Sequence, residues 1–262
     1  MLQNPAPIQV FKTLNPVFIN PENEDALTGL PKGCPAFPKI DYENENIPLE
    51  DTTRLRKSIS GIQSILRGKG LGNLVERMQI KGSAADQCEW TQNRISTLIK
   101  EFNGSADCET LYEIFHCIHL WGGASGRNIY VMNGGFENNF SAARYLKISR
   151  ICKKLNRYSK EDSARAAKRL SDKNLKIPYL GIAFASKHYK FWTMDNLPIL
   201  DSILNKGVLG RFNAPQFNKY PEFVDLMFDA SQAASVRLAC FERRLFNFFQ
   251  SKQGERWIKL RK

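Results

Sequence analysis

Apolar side chains recur every three to four residues over most of the chain from residue 51 onward, and this spacing constrains the fold more than any other feature. Such a period places the apolar residues of a segment on one face of a helix. Strand-like alternation has one short candidate, Asn128–Met132. The sequence therefore predicts an all-α protein, with helices over 51–67, 84–103, 107–121, 138–156 and 159–172 and a last long helix from about Pro221 to Phe249.

The first 50 residues differ from the rest because they hold eight of the twelve prolines. Proline interrupts helices and cannot donate a hydrogen bond to a sheet ladder. We therefore expect residues 1–50 to form an irregular extension and residues 51–262 to form a helical domain. Five apolar residues are candidates to pack the extension along that domain: Val10, Phe11, Val17, Phe18 and Phe37.

Basic residues outnumber acidic ones by 38 to 26, which gives a formal net charge of +12. Such an excess attracts polyanions and makes their binding depend on salt. Nucleic acid is the expected partner, and an anionic membrane surface is its rival. Segment 144–176 carries twelve basic residues that fit a phosphate-tracking face and fit a solvated helix surface nearly as well.

The chain begins without the basic and apolar segments of a signal peptide, and no apolar run approaches the roughly 18 residues of a membrane span. The six cysteines are dispersed and form no C-x-x-C pair, so a zinc or iron–sulfur site is not expected. These features favour a cytoplasmic protein with reduced cysteines. His116 and His119 are expected to be core or surface residues, because no third metal ligand accompanies them.

The segment from Asn174 to Asn205 is the most informative part of the sequence. Ile177–Gly181 (IPYLG) indicates a tight turn between a helix that ends near Lys173 and a second helix over 181–192. Proline presets one backbone dihedral and glycine allows close approach, so a phosphate can bind the amides at the helix start. The alternative is an ordinary corner between two helices.

Lys187 shares one face of that second helix with Leu180, Phe184 and Phe191. An amine surrounded by apolar groups is desolvated, which disfavours its charged form. A neutral amine is a nucleophile that can form a Schiff base. The alternative is that the lysine stem packs on the aromatic rings while the amine reaches water.

Asp201 follows fourteen residues later, between an apolar extended run and a short helix. This position is typical of an N-cap aspartate. A carboxylate at a helix start is fixed in position and kept ionised by the helix dipole. It can then stabilise the positive charge that develops on a sugar when its base leaves, or direct the attacking group.

The order of turn, lysine helix and Pro-x-x-Asp (Pro198 to Asp201) resembles the helix-hairpin-helix DNA glycosylases, and within them the bacterial 8-oxoguanine DNA glycosylase (OGG)-fold proteins. The hairpin would span about 159–192. The resemblance implies that Lys187 attacks the sugar C1′ and that Asp201 assists the loss of the base. It also implies that the hairpin amides hold a DNA phosphate, and the candidate DNA contacts are Tyr179, Gly181, Ala183, Arg127, Lys173 and Lys176.

Ala183 stands where the family usually carries a second glycine, and the spacings on either side of the lysine also differ. The substrate therefore stays open between an oxidised purine, in DNA repair, and a modified base of phage DNA, in antiviral defence. No cofactor is expected beyond a monovalent cation at the hairpin, and the protein is expected to be a monomer. Base extraction needs an aromatic pocket, for which the candidates are Trp121, His188, Phe191 and Trp192.

The sequence leaves three hypotheses for the function. The first is a DNA glycosylase that leaves an abasic site, in which Lys187 either forms a Schiff base, adding strand-lyase activity, or only positions the sugar. The second is a non-catalytic DNA-binding protein of the same fold. The third is a basic adaptor for an anionic membrane.

Overall fold

The computed structural model describes residues 16–31, 33–42, 84–102, 108–122, 128–155 and 159–262. The predicted helix over 51–67 and the residues Val10, Phe11 and Arg127 lie outside this part of the chain. The described residues are mostly helical, as the apolar spacing predicts. Their helices are α1 (Glu24–Thr28), α2 (Ala84–Glu101), α3 (Cys108–Gly122), α4 (Asn128–Val131), α5 (Phe136–Asn139), α6 (Ala142–Lys153), α7 (Lys160–Leu170), α8 (Ile182–Trp192), α9 (Ser202–Gly207), α10 (Tyr220–Ala233), α11 (Leu238–Gln250) and α12 (Lys252–Leu260), with 3-10 turns at Lys173–Leu175 and Phe217–Lys219.

Helix α8, which carries Lys187, packs against α2, α3 and α6. Its sequence explains this central position, because its apolar residues occupy most sides of the helix and such a helix belongs in the interior. Helix α3 also packs on α2 and α6, α7 packs on α10, and α11 contacts α9, α10 and α12. The predicted lysine is therefore held by a helix that several others fix in place.

The N-terminal segment belongs to the same hydrophobic core as the helices. Strands β1 (Phe18–Ile19) and β2 (Phe37–Pro38) pair in parallel, and the rings of Phe18 and Phe37 lie 6.4 and 5.5 Å from that of Phe241. The packing expected of these two residues is confirmed, whereas Val17 is exposed. Together with α1, the strands make this part of the extension more regular than its prolines predict. The pairing of the two strands tolerates Pro38, which has no amide hydrogen, because the amides of Phe37 and Lys39 donate the hydrogen bonds between them.

The prediction of one long last helix is wrong, because α10 and α11 are separate. Ser235, between them, has φ +57. Its amide donates to the carbonyl of Gln232 at 2.9 Å, and the amide of Val236 donates to that of Ser231 at 3.0 Å. This left-handed ending is the one that glycine usually provides. A serine gives no comparable signal in the sequence.

The one strand candidate of the sequence, Asn128–Met132, is helical, because these residues form α4 and its end. The amide of Met132 donates to the carbonyl of Asn128 at 2.9 Å, as in a helical turn. Ile129 and Tyr130 are buried, while Val131 and Met132 are exposed. Two adjacent buried residues fit one face of a short helix and do not fit a strand, in which neighbours point to opposite faces.

Candidate active site

The turn before α8 has the geometry that its proline predicts. The amide of Leu180 donates to the carbonyl of Ile177 at 3.1 Å, across Pro178 and Tyr179. Tyr179 has φ +59, and 47% of its surface is exposed. A positive φ at this place is characteristic of a type II turn, where glycine is the usual residue. The tyrosine therefore stands in a strained conformation at an exposed tip.

Gly181 is the N-cap of α8 and has no side chain to cap the helix start. Its carbonyl accepts hydrogen bonds from the amides of Phe184 and Ala185 at 3.0 and 2.9 Å. A Cβ placed on Gly181 would meet no atom within 4 Å. First-turn amides that no side chain caps, next to open space, suit an anion such as a phosphate. Ala183 lies half-buried in this first turn.

Exposed basic residues surround this turn. Lys173 and Lys176 precede it, and Nη1 of Arg144 donates to the carbonyl of Lys176 at 3.1 Å. The Lys176 ammonium lies 4.6 Å from the ring centre of Phe217. The other exposed basic residues of α6, its C-cap and α7 are Lys147, Arg150, Lys153, Lys154, Arg165, Lys168 and Arg169.

No described helix has the length and apolar character needed to cross a bilayer.

Lys187 is half-buried, and its amine contacts a backbone carbonyl and an aromatic ring. Nζ donates to the carbonyl of Gly122, the last residue of α3, at 2.6 Å. It also lies 4.3 Å from the ring centre of Phe184, a neighbour that the helical spacing predicts. A carbonyl at a helix C-terminus and the face of an aromatic ring both suit a charged ammonium. The amine would have to leave Gly122 and lose a proton before it could attack a sugar.

Asp201 is the N-cap of α9, as its sequence position indicates. Its Oδ1 accepts hydrogen bonds from the amides of Ile203 and Leu204, both at 2.9 Å. The side chain is half-buried. Two backbone donors fix this carboxylate, which is the arrangement needed to stabilise a nearby positive charge.

A buried hydrogen bond joins the lysine helix to the aspartate segment. The amide of Leu200 donates to Oγ of Ser186 at 3.1 Å, and Ser186 is fully buried. Ser186 directly precedes Lys187, and Leu200 directly precedes Asp201. The backbone segments that bear the two candidate catalytic positions, fourteen residues apart in sequence, are therefore in contact. Nothing in the sequence pattern identifies Ser186 as this link.

The four candidate pocket residues fall into two pairs. Trp121 is half-buried and meets Phe191 edge to face, with ring centres 4.9 Å apart. His188 and Trp192 are only 1% exposed, and both contact the ring of Tyr145. Solvent thus reaches Trp121, at the end of α3 beside Gly122, and hardly reaches His188 or Trp192.

A buried ion cluster at the end of α8 was not predicted from the sequence. Nζ of Lys190 lies 3.0 Å from Oε2 of Glu242 and 3.2 Å from Oδ1 of Asp195. Burial opposes the charge on Lys190, but the two carboxylates outweigh it and raise the pKa of the lysine. The cluster fixes α8 to α11. Glu242 follows Lys190 by 52 residues, so no spacing rule reveals their pairing.

His116 and His119 are fully buried, so the core alternative for them is confirmed. Within the described residues, no three His, Cys, Asp or Glu side chains are arranged to hold a metal ion.

Comparison with known proteins gives no relative: no family model matches the chain, and no curated protein and no solved structure matches it either.

Proposed function

We propose that this protein is a DNA glycosylase that excises a modified base and leaves an abasic site. The observation that carries the proposal is the hydrogen bond between Leu200 and Ser186, 3.1 Å long, which sets the segment of Asp201 against the turn of α8 that bears Lys187. An amine and a fixed carboxylate are the groups that base excision uses in the family that the sequence resembles, and this bond brings the backbone segments that bear them into contact.

The contact with DNA is proposed to lie at the start of α8. The uncapped amides after Gly181, with Lys173 and Lys176 beside them, would hold one backbone phosphate. The net charge of +12 would add a salt-dependent attraction to the rest of the duplex. The base to be removed would then be turned out of the stack toward Lys187 and Trp121.

In the proposed reaction the bond between C1′ and the base breaks, and the base leaves with the bonding electron pair and takes up a proton. The carboxylate of Asp201 stabilises the positive charge that develops on the sugar. Water then adds to C1′ and loses a proton, which gives the abasic site. If Lys187 attacks instead, its neutral amine displaces the base at C1′ and passes a proton to it. The nitrogen lone pair then expels the ring oxygen O4′, which takes up a proton, and a Schiff base results.

The substrate is proposed to be an oxidised purine or a modified base of phage DNA. The test is mass-spectrometric detection of bases released from oxidised, alkylated and phage-derived DNA. Asp201→Asn should lower the release about 100-fold or more, because asparagine caps a helix nearly as well as aspartate but carries no charge. Release that is equal in the wild type and this variant would contradict the role of Asp201.

Asp172→Asn is the matched control. Asp172 is also a cap, accepting the amide of Asn174 at 2.9 Å, but it lies on an exposed 3-10 turn. Its substitution should leave base release unchanged. DNA binding and melting temperature should be the same in both variants as in the wild type.

One observation favours a second candidate, a non-catalytic DNA-binding protein. The Lys187 amine is engaged by the carbonyl of Gly122 at 2.6 Å and is not presented as a free nucleophile. This function predicts salt-dependent DNA binding with no base released from any of the three DNA preparations. The same experiment thus decides between the two candidates.

A further inference from the structure

All three histidines of the chain, His116, His119 and His188, lie together in the core, and we call them the histidine cluster. Two of them stack on the ring of Phe115, His119 at 4.4 Å and His188 at 4.6 Å between ring centres. His119 and His188 are themselves 5.1 Å apart. Each is at most 1% exposed.

Each histidine uses only one ring nitrogen. Nδ1 of His116 and of His188 lies 2.8 Å from the hydroxyl of Tyr130 and of Tyr145, respectively. Nδ1 of His119 donates to a backbone carbonyl at 3.1 Å. All three Nε2 atoms are buried and have no hydrogen-bond partner among the described residues. Buried nitrogens without partners are rare, because each carries a desolvation penalty.

The histidine cluster contacts a ring that Lys187 also contacts. His119 stacks on Phe184 at 5.0 Å, the same ring that the Lys187 ammonium contacts. His119 also lies on α3 less than one turn before Gly122, whose carbonyl holds that ammonium. His119 and His188 therefore form part of the packing between α3 and α8 that positions Lys187. His116 lies beside them on α3, against Phe115 and the Tyr130 hydroxyl of α4.

The groups that face the cluster do not favour a positive charge. Helix α3 contributes Cys117, α4 contributes Tyr130, α6 contributes Tyr145, and α8 contributes the cation of Lys187. On α3, the acidic residue nearest in sequence to His116 is Glu113. The Oε1 atom of Glu113 already accepts a hydrogen bond from Nη2 of Arg94, on α2, at 2.6 Å.

We propose that the histidine cluster is an acid-sensitive latch for the Lys187 site: neutral imidazoles keep α3 packed on α8, and their protonation separates the two helices and withdraws Lys187 from Gly122. That the latch controls base excision rests on the function proposed above, but the latch itself does not.

The direction of the pH effect follows from the charges. Burial lowers the pKa of His116 and of His119 to about 3, and it lowers that of His188 well below 6.5. An opened or unfolded histidine takes up its proton near pH 6.5. The closed state is thus fully favoured above pH 6.5 and loses its advantage as the pH falls toward about 3. At pH 5.5 each histidine shifts the equilibrium toward opening about 10-fold, and three shift it about 1,000-fold.

Hydrogen exchange of the wild-type chain at pH 7.5 and 5.5, corrected for intrinsic rates, tests the latch without DNA. Amides of α3 and α8 should lose about 1,000-fold of their protection, while those of α10, α11 and α12, which contain no histidine, should keep theirs. Unchanged protection in α3 and α8, or an equal loss in all helices, would overturn the proposal.

The double variant His116→Phe/Tyr130→Phe provides the control. It removes one titrating ring together with its hydroxyl partner, so no hydrogen-bonding group of that pair is left unpaired. The loss of protection between the two pH values should fall to about 100-fold. A loss that stays at 1,000-fold would exclude His116 from the latch. Because exchange is measured on the free protein, absence of glycosylase activity would leave this result untouched.

Discussion

Ser186 accepts a hydrogen bond from the backbone amide of Leu200 at 3.1 Å, and this contact ties the helix of Lys187 to the segment of Asp201. Both candidate catalytic residues follow their linking neighbour directly in sequence. The geometry of the site therefore depends on a hydroxyl that takes no part in the chemistry.

We predict that Ser186→Ala lowers the free energy of unfolding by about 1–3 kcal/mol, because it leaves the buried amide of Leu200 without an acceptor. Urea denaturation measures the effect. Ser231→Ala is the control: Ser231 is equally buried, but its hydroxyl only donates to Phe228 of its own helix, at 2.9 Å. That variant should lose less stability. Equal losses of stability in the two variants would show that the hydrogen bond from Leu200 to Ser186 stabilises the fold no more than a hydrogen bond within one helix does.

Gly181 offers a test that separates DNA binding from folding. Aspartate and asparagine are both good N-caps, and a Cβ at this position meets no atom within 4 Å. Gly181→Asp and Gly181→Asn should therefore fold at least as stably as the wild type. Gly181→Asp should weaken DNA binding about tenfold or more, since its carboxylate occupies the proposed phosphate position.

Gly181→Asn adds similar bulk without charge and should bind DNA more tightly than Gly181→Asp. Fluorescence anisotropy with a labelled duplex at fixed salt measures both affinities. If the two variants bind DNA as tightly as the wild type, the start of α8 is not the phosphate site.

The ion cluster of Lys190 predicts a non-additive stability change. Glu242→Leu should lower the free energy of unfolding by about 3–5 kcal/mol, because the buried ammonium is left with only the half-exposed Asp195. The double variant Lys190→Met/Glu242→Leu should recover much of this loss. A double-mutant cycle by thermal or urea unfolding measures the coupling, and additive losses would show that the two charges do not depend on each other.

The helices that carry the site could be predicted from sequence because their apolar period is strong. Helices α3 and α8 begin and end close to the expected residues, and Asp201 is the N-cap that its sequence position indicates. Ser235 shows where this reasoning fails. It ends α10 in a left-handed conformation that serine adopts rarely, so the sequence contains no stop signal there.

The contacts within the site were harder to predict because they join residues that are distant in sequence. The Leu200 amide could have found many acceptors, and only the fold selects Ser186. The same holds for Lys187, whose helical face was predicted but whose carbonyl partner, Gly122, lies sixty-five residues earlier. Local spacing specifies which side chains share a face, and the packing of helices then decides what that face meets.

The central claim is that Lys187 lies at the sugar of the bound nucleotide, and DNA with a pre-formed abasic site tests it most directly. The aldehyde at C1′ of such DNA forms a Schiff base with a nearby lysine amine, and borohydride reduction makes the link permanent whatever base the proposed activity removes. Peptide mapping should find the link on Lys187, and Lys187→Gln should abolish it while Lys176→Gln does not. A link spread over exposed lysines such as Lys173 and Lys176, or one that persists in Lys187→Gln, would contradict the account.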